Sequence, residues 1–213
     1  MPSSEVFFTA GDVLLEGHLS IPTSATSLVA FVHGSGSSRH SPRNQAVAAG
    51  LNDSGIATLL MDLLTAEEER NERETGDLRF DIEFLARRVL GAIEFVREHA
   101  LVRDFPLGLF GASTGAAAAI VVAAERKDIQ AIVSRGGRPD LAREHLPRFR
   151  APTLLIVGGA DHAVIEMNRT AMKAMRTEVS MEIVPGATHL FTEPGALEAV
   201  AALARAWFLQ HLH

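Results

Sequence analysis

Short strand-like runs, most of them rich in apolar residues, alternate along this chain with segments of helical periodicity, and this alternation constrains the fold more than any other feature. The predicted strands are Leu28–Val32, Ala57–Leu63, Leu107–Phe110, Ile129–Val133, Leu154–Val157 and Val179–Val184, and the central ones are the most apolar. Strands that are apolar on both faces are typical of a parallel sheet covered by helices on each side. The pattern therefore predicts an α/β fold whose mostly parallel sheet has about eight strands.

The segments between these runs complete the predicted sheet and its helices. Val6–Phe8 and Val13–Ile21, joined by a turn at Gly11-Asp12, predict an opening antiparallel pair of strands. Helices are predicted at Gln45–Asn52, Asp81–His99, Ala116–Arg126, Ile165–Met175 and Ala196–Leu212. Since the chain has neither internal repeats nor an interdomain linker, residues 1–213 are predicted to form a single domain without a cap.

Charge and cysteine content narrow the classes of function. The 213 residues carry 26 acidic against 20 basic side chains, a net charge of −6, and no cysteine. A net negative chain is not drawn to nucleic acid or to anionic membranes, and one without cysteine has neither disulfides nor thiolate metal sites. The longest apolar stretch, Ala116–Ala124, is too short to span a bilayer, and no secretory leader is recognisable. We expect a cytoplasmic monomer or homodimer with no nucleic-acid or membrane partner.

The segment Gly111-Ala112-Ser113-Thr114-Gly115 carries the strongest chemical signal. It matches the pattern G-x-S-x-G and lies between an apolar strand and an alanine-rich helix. In that setting the glycines permit a tight turn that exposes the serine at a helix N-terminus, where developing negative charge is stabilised. Ser113 is thus a candidate nucleophile. The alternative is that the glycines merely open a helix beside a strand.

A base and an acid that could activate this serine follow it in the sequence. Asp161 and His189 each come directly after a predicted strand, as Ser113 does. The carboxyl ends of parallel strands share one edge of a sheet, so the three side chains are expected to meet there. Considered alone, His189 could be an ordinary loop histidine. Asp62 is a rival acid, but it precedes the serine and could instead bond a nearby loop.

The glycine-rich segment His33-Gly34-Ser35-Gly36-Ser37-Ser38 also follows a strand. Stabilising an oxyanion requires two backbone N–H groups aimed at one point, and we expect them from Ser35 and Thr114. A phosphate-binding loop is the alternative, but the segment lacks the Gly-Lys-Ser/Thr ending of that motif. His33 is expected to support the loop rather than to take part in chemistry.

With these features in this order, the chain resembles the α/β-hydrolase superfamily over nearly its whole length. Within it the chain is most similar to small, lidless relatives of dienelactone hydrolase, through Met61-Asp62-Leu63-Leu64-Thr65 and Ser134–Leu141. Members with a helical cap usually insert it between the strands that correspond to 129–133 and 154–157, where this chain is short. Dienelactone hydrolases use a cysteine nucleophile where this chain has Ser113. The resemblance implies an ester or acyl hydrolase that needs no metal or other cofactor.

Charged residues near the predicted site suggest two further roles. Arg135 and Arg138 could clamp a substrate carboxylate, since guanidinium groups match carboxylates in shape and charge. The alternative is that they form surface ion pairs with Asp140 or Glu144; Arg39 and Arg43 are weaker candidates for the same clamp. The charged run Glu67–Glu74 is interpreted as a solvated loop, or alternatively as a flap at the rim of the site.

The sequence thus predicts a carboxylesterase-like serine hydrolase with the triad Ser113, Asp161 and His189. Its expected substrates are small esters, lactones or thioesters. Two alternatives stay open. The same triad could serve an acyltransferase or peptidase, or the fold could be a non-catalytic receptor for a small molecule.

Overall fold

The computed structural model describes residues 3–213 and contains one eight-stranded sheet with helices on both faces. The two N-terminal residues of the predicted 1–213 domain lie outside the described part. The strands are β1 (Ser3–Ala10), β2 (Val13–Ser20), β3 (Ser27–Val32), β4 (Ile56–Met61), β5 (Leu107–Ala112), β6 (Ile129–Arg135), β7 (Thr153–Gly158) and β8 (Val179–Val184). The helices are α1 (Pro42–Asn52), α2 (Ala66–Thr75), α3 (Ile82–Glu98), α4 (Thr114–Glu125), α5 (His162–Met172) and α6 (Ala196–His211), with a short 3-10 helix at Pro139–His145.

The strand order is β1-β2-β4-β3-β5-β6-β7-β8. Strand β2 pairs antiparallel with both β1 and β4, whereas all pairs from β4-β3 to β7-β8 are parallel. This confirms the predicted sheet, its antiparallel opening pair and its helices on both faces. The carboxyl ends of the six parallel strands share one side of the sheet, here called the carboxyl edge.

Two apolar cores flank the sheet and explain why its central strands are apolar throughout. Helices α3 and α4 cover one face, and α1 and α6 cover the other. Every residue of β3, β4, β5 and β7 is buried. Burial of this kind is the main driving force for folding, and it holds the loops of the carboxyl edge on a rigid frame. None of the helices within residues 3–213 is long and apolar enough to cross a membrane.

The charged run Glu67–Glu74 forms most of helix α2, so its interpretation as a loop is wrong. The helix has no apolar face and is held by polar contacts instead. Thr65 and Glu68 form a reciprocal capping box at its start, and Gly76 ends it in the left-handed conformation. Glu72 is buried and accepts hydrogen bonds from Arg79 Nε and the Leu78 amide, both at 2.7 Å. These bonds fold the following turn back onto the helix.

Candidate active site

Ser113 lies in a strained turn between β5 and α4. Its φ of 51° and ψ of −123° are unfavourable for a residue with a side chain. The flanking glycines permit this turn because there is no room for a Cβ: one at Gly111 would lie 2.4 Å from Ala116 Cα, and one at Gly115 would lie 2.2 Å from the Val32 carbonyl oxygen. The turn therefore requires the glycines of the G-x-S-x-G pattern and presents Ser113, which is partly exposed, at the carboxyl edge.

The loop after β6 fixes the backbone of this turn from the side. The Ser113 amide donates to the Arg135 carbonyl at 3.3 Å, and the Arg138 amide donates to the Ser113 carbonyl at 3.0 Å. The Ser113 carbonyl also accepts from the Ala116 amide at 3.2 Å, so both main-chain groups of Ser113 are paired within the tight turn. The serine is thus positioned by two neighbouring strand ends rather than by its own loop alone.

Asp161 and His189 are in direct contact. His189 Nδ1 and Asp161 Oδ2 are 2.7 Å apart, where the loop after β7 meets the loop after β8. The Asp161 side chain is 16% exposed and the His189 ring 41%. A carboxylate at Nδ1 selects the tautomer that carries its proton there, which leaves Nε2 free to accept another. The pair therefore has the arrangement of an oriented general base.

The loop that carries His189 is anchored on both sides of the ring. The Thr188 hydroxyl lies 2.6 Å from Glu193 Oε1, and the Thr188 amide donates to the same carboxylate at 3.1 Å. Phe191 is buried, with a φ of 54°, and its ring packs against Gly136. These contacts hold the backbone while the ring stays partly exposed.

Ser113 and His189 border the same turn, at Gly136. A Cβ at Gly136 would lie 3.2 Å from the His189 carbonyl oxygen and 3.6 Å from its ring atom Cε1. The preceding residue, Arg135, accepts the hydrogen bond from the Ser113 amide. Within residues 3–213, however, no hydrogen bond joins the Ser113 hydroxyl to the imidazole. The hydrogen bond between Asp161 and His189 is formed, whereas none is formed between His189 and the Ser113 hydroxyl.

The loop 33–38 packs directly against the serine. A Cβ at Gly34 would lie 2.8 Å from Ser113 Cβ. The Ser35 hydroxyl is 3.3 Å from the Thr114 hydroxyl and 3.3 Å from the Arg79 carbonyl oxygen. The backbone N–H groups of Ser35 and Thr114 have no acceptor in the described part of the chain. Ser35 and Thr114, which contact each other beside Ser113, thus each offer a free backbone N–H donor.

His33 and Asp62 hold this loop rather than facing the serine. His33 is buried, and its Nε2 accepts a hydrogen bond from the Leu63 amide at 3.1 Å. Burial lowers the pKa of His33, in keeping with a neutral ring that acts as an acceptor. Asp62 accepts from the Arg39 amide at 2.7 Å and pairs with its guanidinium, which also pairs with Glu16.

The two arginines of the predicted carboxylate clamp, Arg135 and Arg138, differ in whether their side chains have an acidic partner. Arg138 pairs with Asp140 in a bidentate contact, with distances of 2.9 and 2.8 Å, as in the ion-pair interpretation. Arg135 is only 8% exposed and has no side-chain hydrogen bond or ion pair with any residue from 3 to 213. Burial, and then the charge of Arg43, lower the pKa of Arg135 to about 10. The structure therefore does not bring Arg138 and Arg135 together as one free clamp.

A cavity of about 290 Å³ lies beside the loop 33–38. Helix α2, from the run interpreted above as a loop or flap, borders this cavity through Ala66, Glu69 and Arg73. Arg39 and Asp62 form another part of its wall. No group of three or more metal-binding side chains occurs in the described residues.

A family model and one closely similar crystal structure both carry the name dienelactone hydrolase. The model of the dienelactone hydrolase family matches residues 17–211. A crystal structure of dienelactone hydrolase from Anabaena variabilis shares 52% sequence identity and superposes with a TM-score of 0.97, covering 100% of this chain and 99% of that one. Est1E from Butyrivibrio proteoclasticus has the same fold, with a TM-score of 0.80 at 18% identity and coverage of 98% of both chains.

Two curated relatives from Mycobacterium tuberculosis strains carry a different name. Each is called "Putative phosphoribosyl transferase" and is 52% identical over 209 residues. The alignment covers 98% of this chain but only 46% of each relative. This chain therefore spans about half the length of the curated relatives it matches.

Proposed function

The chain belongs to the dienelactone hydrolase family, and from that premise we propose that it is a serine hydrolase of small esters, lactones or thioesters. The observation that carries the proposal is the strained turn at Ser113 beside an assembled Asp161–His189 pair, whose atoms are 2.7 Å apart. A serine hydroxyl is a weak nucleophile and needs such an oriented base. The segment between β6 and β7 contains only the short 3-10 helix Pro139–His145 and no helical cap, which favours a small substrate.

In the proposed first step, His189 Nε2 takes the proton of the Ser113 hydroxyl as its oxygen attacks the substrate carbonyl. The ring must move toward the serine, which its 41% exposure allows. Contacts of this kind are often long in the absence of substrate and tighten when it binds. Asp161 stabilises the imidazolium that forms. The carbonyl oxygen becomes an oxyanion, which the free amides of Ser35 and Thr114 stabilise.

In the second step the tetrahedral intermediate collapses. The bond to the leaving group breaks, and the leaving oxygen or sulfur takes the proton from His189, so that an acyl group remains on Ser113. Water then loses a proton to His189, attacks the acyl carbon and releases the acid. The proton returns to Ser113 and restores the starting state.

Another acceptor could replace water in this last step, which gives an acyltransferase. Ser113 and His189 are both partly exposed, so an alcohol or amine could also reach the acyl group. Product analysis with added alcohols and amines separates the two activities. The phosphoribosyl transferase named for the M. tuberculosis relatives would involve other chemistry, and those proteins are about twice as long.

The test is ester hydrolysis by a Ser113→Ala variant. We expect kcat to fall by about 10⁴-fold or more, as for the removal of a triad nucleophile. Ser54→Ala is a matched control, since it removes a serine hydroxyl that bonds the Gly50 carbonyl at the end of α1. The proposal fails if Ser113→Ala hydrolyses short-chain esters as fast as Ser54→Ala does. It also fails if the folded wild-type protein hydrolyses no ester, lactone or thioester, which would favour a receptor.

A further inference from the structure

Arg135 occupies an unusual position beside the candidate nucleophile. It is the last residue of β6, where it pairs with Ala112 of β5, and its carbonyl accepts the Ser113 amide. Alternation along the strand places its side chain on the same face as Val133 and Ala131, which belong to the core under α1 and α6. The guanidinium is therefore enclosed in the protein next to the site.

Nothing in residues 3–213 neutralises this enclosed charge. Arg135 has no carboxylate or carbonyl partner, and its Nη1 atom is fully buried. Arg88, which is equally buried, shows what the fold does elsewhere: it bonds the Ala10 carbonyl at 2.7 Å and Glu68 at 2.6 Å. A buried charge without a partner costs stability, so its presence calls for an explanation.

Arg43 adds a second positive charge at the same place. It is the second residue of α1, and its Nε atom is buried with no hydrogen-bond partner in the described part of the chain. Helix α1 covers the face of the sheet on which the Arg135 side chain lies, and the charge of Arg43 helps to lower the pKa of Arg135. The N-terminus of α1 contributes a further partial positive charge. Among residues 3–213 neither arginine has an acidic partner, so the two form a cationic spot in a chain whose net charge is −6.

We propose that Arg135 and Arg43 form a subsite for a dianionic phosphoryl group carried by the ester substrate. Two guanidinium groups offer two positive charges and several N–H donors, which a phosphate dianion matches in charge and geometry. A carboxylate would neutralise only one of the two charges. Arg138 is not part of this subsite, because Asp140 already occupies its guanidinium. The inference rests on the proposed function for the reacting ester, but binding of the anion does not require catalysis.

The first test is calorimetric binding of inorganic phosphate in mildly alkaline buffer, where it is a dianion. We expect phosphate to bind wild type and Ser113→Ala equally. Arg43→Gln and Arg135→Met should each weaken binding by about tenfold or more, as loss of a charge-assisted hydrogen bond does. Arg205→Gln is the charge-matched control, since this exposed arginine of α6 has no contact with the site. Arg43→Gln decides the test if Arg135→Met does not fold.

Three results would overturn the subsite. Wild type could fail to bind phosphate, or Arg43→Gln could bind it as tightly as Arg205→Gln does. Acetate could also bind more tightly than phosphate, which would assign a carboxylate instead. The two proposals can fail separately. Wild-type protein that binds phosphate but hydrolyses no ester would reject the serine hydrolase and support the anion site.

The second test compares two acetyl esters that differ only in a phosphate group on the alcohol. Wild type should have a lower KM for the phosphorylated ester. Arg43→Gln should reduce this preference by about tenfold or more, and Arg205→Gln should keep it. Equal KM values for the two esters in wild type would show that the site does not select for phosphate.

Discussion

Two arginines lie at the carboxyl edge, on either side of Ser113, and they differ in whether acidic side chains pair with them. On the paired side, Arg39 is 12% exposed and contacts the carboxylates of Asp62, Glu16 and Glu5. On the unpaired side, Arg135 is equally buried but contacts no acid among residues 3–213. The first arrangement fixes the loop that supports the serine. The second gives its guanidinium no partner among these residues, and we expect this difference to separate charges that stabilise the structure from a charge that binds a ligand.

After Ser113→Ala, the largest expected effect concerns Asp161, whose side chain bonds only the His189 ring within residues 3–213. Asp161→Asn should lower kcat by about 10³- to 10⁴-fold, because an amide at this position favours the wrong imidazole tautomer. Thermal unfolding should change little, since the pair is partly exposed. An Asp161→Asn protein that retains wild-type kcat would show that the contact between Asp161 and His189 is structural. Ester hydrolysis and thermal melts on the same preparation give both readouts.

A change on the paired side should act on stability instead. Arg39→Met removes the guanidinium that holds Asp62 and leaves this carboxylate, 15% exposed, with only the backbone amide of residue 39. We expect the free energy of unfolding to fall by about 2 kcal/mol. Urea denaturation measures the change. A loss well below 1 kcal/mol, on the order of an exposed surface pair, would mean that this network does not fix the loop.

The corresponding change on the unpaired side should have the opposite sign. Arg135→Met replaces an enclosed, unpaired charge with an apolar side chain of similar length, so the free energy of unfolding should rise by about 1 kcal/mol. Urea denaturation of Arg135→Met and wild type, in buffer without phosphate, measures this change. If Arg135→Met destabilises the protein as much as Arg39→Met does, then Arg135 has a structural role and the contrast between the two sides disappears.

The smallest effect is a pH dependence on the paired side. Burial lowers the pKa of His33 below its ordinary value of 6.5. The unfolded chain therefore binds a proton at this residue before the folded one does, and the free energy of unfolding should decrease as pH falls below 6.5. His33→Gln keeps an acceptor for the Leu63 amide but does not titrate. Its stability should decline less between pH 6.5 and 5 than that of wild type; an equal decline would assign the effect elsewhere.

The sequence was most informative where burial alone decides structure. Strands β3 and β5, in which every residue is buried, lie within one or two residues of the apolar runs Leu28–Val32 and Leu107–Phe110 that predicted them. Helix α2 was missed because it has no apolar face and therefore no hydrophobic period. Its one local signal was the capping box, with Thr65 three residues before Glu68. The buried contact between Glu72 and Arg79 that completes the helix is a product of tertiary folding.

The sequence also predicted that Asp161 and His189 lie close together, since each follows a parallel strand and the carboxyl ends of such strands share an edge. It could not distinguish Arg135 from Arg138. The strand extends to Arg135 and encloses its side chain, whereas Arg138 lies beyond the strand and within reach of Asp140. Arg43 is 92 positions away from Arg135 in the sequence, and no local pattern links the two.

The central claim is that Ser113 is an activated nucleophile, and a fluorophosphonate tests it most directly. Such a probe reacts with activated serines and leaves a stable adduct that mass spectrometry can locate. We expect one adduct per chain, on Ser113, with none in Ser113→Ala and much slower labelling in Asp161→Asn. A folded wild-type protein that stays unlabelled, or that is labelled on another residue, would contradict it.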